Sequence, residues 1–565
     1  MLLFFDASAF TGPCRKLTAK HGLGPLSCDR YDSSMLQLIC RTETRTRMSG
    51  SGWDREIDEV RRRQRMAQQM GGAKRLERQR ARGKLNVRER IAALLDPGSF
   101  REWGSLAGEG QYDSNGQLAD FRPSSCIVGR GAISGRSVVI SADDFTVRGG
   151  SSESYHHEKN VQAEMMAAEY GLPLLRLLDG TGGGGSVAEV ERLGATYVPY
   201  VPGFDRVVAN LGAIPVVALG LGPVAGLGAA RLVASHYSIM VRGISQMFTA
   251  GPPVVAAAGE QVSADELGGA DLHSATGSID DVVDTEADAF ERAGRFLSYL
   301  PDRAGEKTRR TRVDDPRERE ESWLDEAVPR DRRWPYEIRP ILEALVDRGS
   351  LFEIGRAWGR SIVTAMARLD GVAVAVIASD SGQMGGTWTA AASRKMIRLV
   401  ELAETFRLPI VHFVDVGGFT IGSQAEKAGT IRDGTRAIAT IYQSTVPWCA
   451  VILRRAFGVA GAGMMNHARF RYRLAWPSGD WGSLPLEGGV EAAFKAQIEA
   501  APDPEAARNE ILERLGQLRS PFRSAERFYV EEIIQPAQTR RWLCDFAELA
   551  TNAPLKAIGR MHYRP

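Results

Sequence analysis

The residues in this sequence that are best placed to do chemistry are glycines in four turns, each of which follows an apolar run of strand length. Two of the turns are residues 179–185 (DGTGGGG) and 415–419 (DVGGF), and the other two are residues 222–230 and 456–463. Glycine lets the backbone approach a ligand closely, and a helix that begins after such a turn presents free N–H groups and the positive end of its dipole. These turns could therefore bind an oxyanion or an enolate. A tight turn without chemistry is the alternative for each turn taken singly.

The elements that would position these turns occur twice in the chain. Residues 144–182 align without a gap on residues 380–418, so that Lys159 falls on Lys395, and further matches lie before and after this one. Each copy contains an apolar, β-branched run of strand length, a helix of 3.6-residue periodicity, and two more such runs. We infer an ancient duplication that gives an α/β fold. Because both kinds of turn recur at matched positions, the oxyanion interpretation becomes as strong as the tight-turn interpretation.

The flanking segments suggest where the domains begin and end. Residues 1–47 have no clear periodicity and are followed by a second methionine, so we interpret them as an extension upstream of the native start; a mitochondrial-type presequence is the alternative. A highly charged helix is predicted over about residues 54–82. Residues 311–333 are predicted to be a charged linker. We therefore place an N-terminal domain at residues 48–310 and a C-terminal domain at residues 334–565.

Composition and missing motifs exclude several classes of function. The 565 residues carry a formal net charge of +2, which gives no electrostatic case for binding nucleic acid or a membrane surface. No uncharged apolar run reaches the roughly 18 residues that a transmembrane helix needs. The six cysteines form no C-x-x-C pair and the eight histidines form no H-E-x-x-H pattern, so we predict no metal. The P-loop, dinucleotide-binding and G-x-S-x-G patterns are also missing, so ATP binding, NAD binding and a hydrolase elbow have no support.

Several stretches resemble the β subunits of biotin-dependent acyl-CoA carboxylases, which are the carboxyltransferase subunits of these ligase complexes. The matching stretches are residues 82–91, 94–100, 144–151, 445–447, 451–458 and 474–477. The resemblance covers roughly residues 54–550 and implies tandem duplicated crotonase-like (ClpP/crotonase) domains. It also implies a homo-hexamer of β subunits, with the active site between the N-terminal half of one subunit and the C-terminal half of its neighbour. Acyl-CoA would lie on the N-terminal half, and carboxybiotin would enter from the C-terminal half.

The implied reaction needs no side chain as a base. The α-proton of the acyl thioester would pass to the ureido oxygen that biotin exposes when it releases CO₂, and the resulting enolate would attack CO₂. Two oxyanion holes would hold the enolate and the biotin oxygen. By position, the N–H groups of Gly182 and Gly183 would form the N-terminal hole, with Thr181 and Gly182 as the alternative pair. The N–H groups of Val459 and Ala460 would form the C-terminal hole.

The resemblance also implies residues that bind the substrate and biotin. Contacts with CoA are implied for four residues on the loop and helix that follow the first strand of the N-terminal copy: Gly150, Ser151, His156 and Lys159. A biotin and acyl pocket is implied for four residues of the second copy: Gly418, Phe419, Gly458 and Ala462. Lys159 could equally be a solvated helix lysine, and we expect Asp179 and Asp415 to cap turns rather than to transfer protons. Ala462 stands where propionyl-type enzymes carry an acid, which suggests a different or roomier pocket and leaves the acyl group open.

The expected partner follows from what the sequence does not contain. It has neither a biotinyl-lysine M-K-M motif nor an ATP-grasp phosphate loop, so biotin and the ATP-driven carboxylation must come from another chain. We expect a biotin carboxylase/biotin carboxyl carrier α subunit, an α6β6 complex, and a location in the bacterial cytoplasm or, in a eukaryote, in the mitochondrial matrix. A decarboxylase or transcarboxylase subunit of the same superfamily is one alternative. A non-catalytic scaffold is another, because Thr181 and Val459 replace glycines of the family motif.

Overall fold

The structure is a computed structural model that describes residues 52–150, 157–180, 190–191, 194–196, 198 and 200–554. The chain divides into two units, Met1–Arg61 and Arg62–Pro565. The described residues of the first unit are 52–61, in which helix α1 (Asp54–Gln68) begins. The second unit contains both copies of the repeat. The limits given above for the N-terminal and C-terminal domains remain predictions.

The strands follow one another in the described part of the chain in two similar series. In chain order they are β1 (Arg101–Trp103), β2 (Gly108–Tyr112), β3 (Leu118–Pro123), β4 (Cys126–Ile133), β5 (Arg136–Asp143), β6 (Leu174–Gly180), β7 (Val216–Ala225), β8 (Tyr237–Val241), β9 (Gln246–Phe248), β10 (Asp281–Val283), β11 (Phe352–Ile354), β12 (Ile362–Leu369), β13 (Val372–Ser379), β14 (Ile410–Val416), β15 (Trp448–Phe457), β16 (Tyr472–Ala475), β17 (Asp480–Gly482) and β18 (Glu532–Ile533).

The helices lie between these strands and after them. After α1 they are α2 (Ala73–Arg80), α3 (Val87–Leu94), α4 (His157–Tyr170), α5 (Phe204–Asn210), α6 (Leu227–Val233), α7 (Pro252–Ala257), α8 (Ala264–Gly268), α9 (Ala270–Thr276), α10 (Glu286–Ser298), α11 (Ile338–Leu345), α12 (Ala390–Phe406), α13 (Ser423–Lys427), α14 (Thr430–Gln443), α15 (Gly458–Ala462), α16 (Leu486–Ala493), α17 (Lys495–Glu499), α18 (Pro504–Gly516), α19 (Pro521–Glu526) and α20 (Thr539–Asn552). None of the helices in these described segments is both long and apolar enough to cross a bilayer.

The two large sheets have the same topology, which confirms the predicted duplication and the α/β fold. The first sheet has the order β1-β4-β5-β6-β7-β8-β10, and β9 also pairs with β7. The second has the order β11-β12-β13-β14-β15-β16-β18, and β17 also pairs with β15. In both, the first three strands of that order pair antiparallel, and the remaining pairs are parallel. The carboxyl ends of the central parallel strands therefore meet at one edge of each sheet, where ligands of such sheets bind.

The helix predicted over residues 54–82 is wrong in one respect. It is broken after Gln68, and α2 begins only at Ala73. Met70 and Gly72 between them have positive φ values of 51° and 88°, which an α-helix does not allow.

The third strand of each copy is longer than predicted. β7 continues to Ala225 and β15 to Phe457, so each strand runs into the glycine-rich segment that follows it. Residues 222–225, predicted to be a turn, are therefore strand, and Gly226 alone joins β7 to α6. Its φ of 57° is a left-handed value that glycine adopts readily. In both copies, the helix therefore begins within one residue of the end of the third strand.

Candidate active site

The turn after β15 is a direct junction of a strand and a helix. β15 ends at Phe457, and α15 begins at Gly458, whose φ is 62°. Gly461 packs so closely on the end of the strand that a Cβ there would lie 2.6 Å from the Ala456 carbonyl carbon. Val459 does not share the left-handed conformation of its neighbour, so a β-branched residue fits there without strain. The valine that departs from the expected motif is therefore compatible with the shape of the turn.

The first N–H groups of α15 lack a capping side chain. The first residues of a helix have no intrahelical acceptor for their N–H groups, and Phe457 before the helix provides no side-chain cap. The predicted donors of the C-terminal hole, Val459 and Ala460, are two of these first residues. The Val459 side chain is 62% exposed, whereas Ala460 is buried. The structure thus brings the two N–H groups together at the strand end, and their role in catalysis stays a prediction.

Two buried rings hold the other end of α15. The Nδ1 atom of His412, in the middle of β14, lies 2.8 Å from the Met464 carbonyl oxygen, and the Trp448 indole N–H donates to the same oxygen at 3.0 Å. His412 and Trp448 also contact each other edge to face, with ring centroids 6.3 Å apart. Because the carbonyl lies just beyond the short helix, these contacts fix the position of α15 relative to the sheet. Neither ring was predicted from the sequence to belong to the site.

In the first copy, an arginine fixes the end of the corresponding helix, α6. The Arg176 guanidinium, in the middle of β6, donates to the carbonyl oxygens of Arg231 and Ala234 at the end of α6 at 3.1 and 2.7 Å. Glu164 of α4 holds this guanidinium at 2.8 Å in a buried ion pair. The gapless repeat alignment places Arg176 on His412, so the signal was a polar residue at the same position of the otherwise apolar runs 174–178 and 410–414.

The buried His412 is expected to make the free energy of unfolding depend on pH in the acidic range. Burial lowers the pKa of His412 to about 4 from an ordinary value of about 6.5. Because the folded state resists protonation of His412, this histidine leaves the free energy of unfolding at its full value above pH 6.5. As the pH falls from 6.5 towards 4, the free energy of unfolding decreases by up to about 3 kcal/mol, since each unit of pKa difference corresponds to about 1.4 kcal/mol. We expect the His412→Asn variant, which keeps a donor but cannot be protonated, to lose less stability than the wild type between pH 6.5 and 4.5. Urea unfolding at each pH measures the difference, and parallel pH profiles would contradict it.

Asp179, which ends the second strand of the first copy, lies in a buried ionic cluster. Its carboxylate accepts from the Lys84 ammonium at 2.8 Å, the Arg90 guanidinium at 2.7 Å and the Gln79 amide at 3.2 Å. Arg90 continues the cluster by pairing with Glu286 at 2.6 Å. Lys84 and Arg90 belong to the stretch 82–91 that carried the family resemblance. We expected Asp179 to cap a turn, and the structure gives it an ion-pair role in addition to its place before the turn.

Asp415 occupies the matching position in the second copy. It is fully buried and accepts from Arg455 at 2.6 Å and from Arg454 at 2.9 Å. The Arg455 backbone N–H donates to it as well, at 3.1 Å. Burial alone would raise the pKa of the Asp415 carboxyl, but Arg455 and Arg454 lower it below its ordinary value. Asp415 is therefore held as a carboxylate, and the ion pairs of both aspartates fix the ends of their strands.

Gly150 packs directly against Asp179 and Gly180, which precede the residues predicted to form the N-terminal hole. A Cβ at Gly150 would lie 2.4 Å from the Asp179 carbonyl oxygen and 2.8 Å from the Gly180 Cα. Its φ is 66°, and the matching Gly386 of the second copy has a φ of 71°. Only glycine fits this close approach in this conformation. The structure thus places Gly150 against Asp179 and Gly180, the two described residues of the segment 179–185, and its contact with CoA remains a prediction.

Lys159 occupies a different environment from the one expected for a phosphate ligand. It is buried on α4, where its Cε would lie 3.3 Å from a Cβ at Gly104. Burial lowers the pKa of its ammonium. The matching Lys395 is also buried and donates to the Ile362 carbonyl oxygen at 2.8 Å. The recurrence in both copies favours a packing role, while the contact of Lys159 with CoA remains a prediction.

Trp388 links the residues predicted for the biotin and acyl pocket. Its backbone N–H donates to the Gly418 carbonyl at 3.1 Å, and its ring contacts the Phe419 ring edge to face, with centroids 6.0 Å apart. The same ring lies 3.0 Å from the place of a Cβ on Gly463, directly after α15. Gly418 and Phe419 are thereby connected to the helix that carries Gly458 and Ala462. The Ala462 side chain faces outward, and its carbonyl oxygen lies 2.8 Å from His467 Nε2.

The remaining predicted residues lie outside the described part of the chain. They are Gly182 and Gly183 of the N-terminal hole, the alternative donor Thr181, and the CoA-contact residues Ser151 and His156. Their roles as oxyanion donors and CoA contacts remain predictions from the sequence.

Comparisons with known proteins agree with this architecture. The carboxyl transferase domain family matches residues 78–564. The chain is 34% identical over 492 residues to the carboxyltransferase subunit of propionyl-CoA carboxylase from Haloferax mediterranei, which covers 86% of this chain and 94% of that protein. It is 32% identical over 473 residues to subunit alpha of methylmalonyl-CoA decarboxylase from Veillonella parvula, which covers 83% of this chain and 91% of that protein. The crystal structure of the transcarboxylase 12S hexamer, with methylmalonyl-coenzyme A and methylmalonic acid bound, matches with a TM-score of 0.82 and 30% identity over 91% of this chain and 99% of that chain.

Proposed function

This chain belongs to the carboxyl transferase domain family and is an acyl-CoA carboxyltransferase subunit, and we propose that it transfers CO₂ from carboxybiotin to the α or vinylogous γ carbon of an acyl-CoA. The observation that carries the proposal is the junction of β15 and α15. There the N–H groups of Val459 and Ala460 lie side by side at a strand end, without intrahelical acceptors. Backbone donors that are fixed before the reaction stabilise a developing oxyanion at little cost of reorganisation.

The residues of this junction suit an oxyanion rather than acid–base chemistry by the protein. No side chain between Ala456 and Gly463 can be ionised, so the chain supplies neutral donors and no base there. Carboxybiotin, when bound, would supply CO₂ and a ureido oxygen that accepts the α-proton of the thioester. The N–H groups of Val459 and Ala460 would hold the negative charge on that oxygen. His412 and Trp448 would keep these donors in place through the Met464 carbonyl.

The N-terminal hole is proposed for the enolate oxygen of the acyl-CoA. Gly182 and Gly183 would provide its two N–H donors. The ionic cluster around Asp179 and the close approach of Gly150 support this proposal, because both fix the strand end from which the segment departs. Ser151 and His156 are proposed to contact CoA from the neighbouring loop.

We propose a partner that carries biotin. The carboxyltransferase would receive its carboxyl group from a biotin carboxylase/biotin carboxyl carrier α subunit, which alone would use ATP. By analogy with the hexamer of transcarboxylase 12S, this chain would form a homo-hexamer and an α6β6 complex. The complex would lie in the bacterial cytoplasm, or in the mitochondrial matrix of a eukaryote. Affinity purification from native cells is expected to recover a biotinylated protein with this chain, and its consistent absence would contradict the proposal.

The similarity to subunit alpha of methylmalonyl-CoA decarboxylase supports a second candidate. A decarboxylase would run the transfer in the opposite direction, from a carboxylated CoA thioester to biotin, with a partner that releases CO₂. Partner identity separates the two functions. An ATP-dependent biotin carboxylase among the copurified proteins supports the carboxylase, and membrane decarboxylase subunits support the alternative.

The substrate is best identified with a panel of thioesters. The purified αβ complex is incubated with ATP, labelled bicarbonate and acetyl-, propionyl-, butyryl-, 3-methylcrotonyl- or geranyl-CoA. We expect ATP-dependent fixation of label into at least one of them. No fixation into any thioester by a complex that carboxylates its own biotin would contradict the carboxylase function.

A further inference from the structure

Trp388 is among the largest fully buried side chains of the described chain, and it lies just before α12. Its backbone N–H donates to the Gly418 carbonyl oxygen at 3.1 Å, and its own carbonyl accepts from the Thr420 N–H at 3.1 Å. These two hydrogen bonds lie on either side of Phe419, in the loop that follows β14. The backbone of this loop is therefore bound to the segment that leads into α12.

The Trp388 ring packs against both this loop and α15. It contacts the Phe419 ring edge to face, with centroids 6.0 Å apart, and a Cβ on Gly463, directly after α15, would lie 3.0 Å from its Cη2 atom. The ring also stacks on His412 of β14, with centroids 6.5 Å apart. Phe419 in turn fits tightly against α14, where a Cβ on Gly434 would lie 2.3 Å from its ring. Because closely packed side chains transmit displacements, a change in the Trp388 ring would shift the loop and α15 relative to each other.

The two copies of the repeat differ at both positions of this contact. In the sequence, the gapless alignment places Ser152 on Trp388. The later match of the repeat, which aligns the glycines at the ends of β7 and β15, places Arg231 on Gly463. The large and the small residue have thus exchanged places between the copies. The shared fold does not require a tryptophan before α12, and Trp388 and Gly463 match each other in size as a pair.

Apolar packing alone does not favour a tryptophan at this place. The Trp388 indole N–H is buried and has no hydrogen-bond partner among the residues that the structure describes. Burial of an unpaired N–H group destabilises a fold, and a leucine or a phenylalanine would fill a core without burying one. The shape of the indole ring, which reaches both Phe419 and Gly463, is the property that these smaller side chains lack.

We propose that Trp388 is a positioning residue for the carboxyltransferase reaction. Its ring fixes the N–H groups of Val459 and Ala460 relative to the loop after β14, through Gly463 on one side and Phe419 on the other. This inference rests on the proposed function, in which that loop lines the biotin and acyl pocket and α15 supplies the oxyanion donors. A displacement of about 1 Å at a catalytic group can lower a rate about 100-fold.

The role predicts a separation of kcat from KM. Trp388 acts on the donors and the pocket loop of the C-terminal half, whereas acyl-CoA is proposed to lie on the N-terminal half. We therefore expect Trp388→Phe to lower kcat about 10- to 100-fold in the αβ complex, with KM for the acyl-CoA within about twofold of the wild type. Fixation of labelled bicarbonate at varied acyl-CoA concentration measures both constants.

A double-mutant cycle with Gly463→Ala tests whether Trp388 acts through α15. Gly463 has a φ of −72°, which alanine adopts without strain, but the added methyl group would lie 3.0 Å from the tryptophan ring. Gly463→Ala alone is therefore expected to lower kcat about tenfold. In the double variant the smaller phenyl ring leaves room for the methyl group, so kcat should be about tenfold higher than two independent effects predict. The methyl group also approaches Ile438, at 2.9 Å, but this contact is present in both backgrounds and cancels in the cycle.

Trp476→Phe is the matched control. Trp476 is also fully buried in the C-terminal half, but it packs in a separate apolar cluster, and its indole N–H donates to the Thr539 hydroxyl at 2.9 Å. We expect this variant to unfold at a lower temperature and to keep kcat within about twofold of the wild type. Thermal unfolding of every variant gives the folded fraction to which kcat is referred.

The possible failures are distinguishable. If kcat of the folded Trp388→Phe protein equals that of the wild type, or if the two effects on kcat simply multiply, Trp388 does not position α15; the inference is overturned and the proposed function stands. Trp388→Tyr, which removes less volume, replaces Trp388→Phe in the cycle if the latter is unfolded at the assay temperature. If the wild type fixes no label into any thioester, the proposed function fails together with the inference.

Discussion

Replacement of Val459 by proline is expected to lower kcat about 100- to 1,000-fold, because loss of one oxyanion donor costs about 2.7–4 kcal/mol of transition-state stabilisation. Proline removes the N–H group and nothing else that the turn needs. Its fixed φ suits the first turn of a helix, where the N–H has no intrahelical acceptor, and the Val459 side chain is largely exposed. ATP-dependent fixation of labelled bicarbonate by the αβ complex measures the effect, with KM for the acyl-CoA nearly unchanged.

Val459→Ala is the control for this substitution. It shortens the same side chain but keeps the N–H group, so its kcat is expected to stay within about threefold of the wild type. A proline variant that is as active as the alanine variant, with normal thermal stability, would show that the Val459 N–H group does not stabilise the oxyanion. Loss of activity in both variants would assign the effect to the side chain.

The substitution Asp179→Asn is expected to lower the free energy of unfolding by about 3–5 kcal/mol, because it leaves buried cations without a counter-charge. Lys84 and Arg90 both donate to this carboxylate, and all three side chains are almost completely buried. The same change should lower activity, because Asp179 fixes the strand end before Gly182 and Gly183. Urea unfolding monitored by fluorescence and circular dichroism measures the stability.

Asp205→Asn is the matched control for charge removal. Asp205 pairs with Arg206 at 3.4 Å, but its side chain is 74% exposed, and an exposed pair contributes about 0–1 kcal/mol. We expect this variant to unfold at the urea concentration of the wild type. An Asp179→Asn variant of equal stability would mean that the buried cluster does not stabilise the fold as described.

The repeat made most of the fold predictable from the sequence. The apolar runs at residues 138–141 and 174–178 and their counterparts lie in β5, β6, β13 and β14, and the runs at 215–221 and 446–453 lie in β7 and β15 apart from their first residues. These strands are buried on both faces, so their composition alone identifies them. The strand β7 was predicted too short because the segment from Gly222 onwards was interpreted as a turn, although residues 222–225 lie within the strand. The break between α1 and α2 had a signal in Gly71 and Gly72 that was not used.

The contacts that position the site could not be predicted in the same way. Lys84 and Arg90 reach Asp179 across 95 and 89 residues of sequence, and a single sequence contains no sign of which buried charges will meet. The contact of His412 with Met464 is of the same kind, since 52 residues of sequence separate the two. A glycine-rich turn was predicted over residues 456–463 with a helix after it, but β15 runs to Phe457 and α15 begins within that segment, at Gly458. The compatibility of this junction with Val459 depended on a backbone angle, which the sequence alone does not determine.

We propose that this chain moves a carboxyl group between biotin and a CoA thioester with backbone donors. The most direct measurement follows labelled carboxyl transfer from a panel of carboxylated CoA thioesters to biotin, with this chain purified alone and no ATP. We predict transfer from at least one thioester by the wild type, and a rate lowered about 100-fold or more in the Val459→Pro variant but retained in Val459→Ala. The absence of transfer by the folded wild-type chain from any thioester, either to free biotin or to the biotinylated partner, would contradict this function.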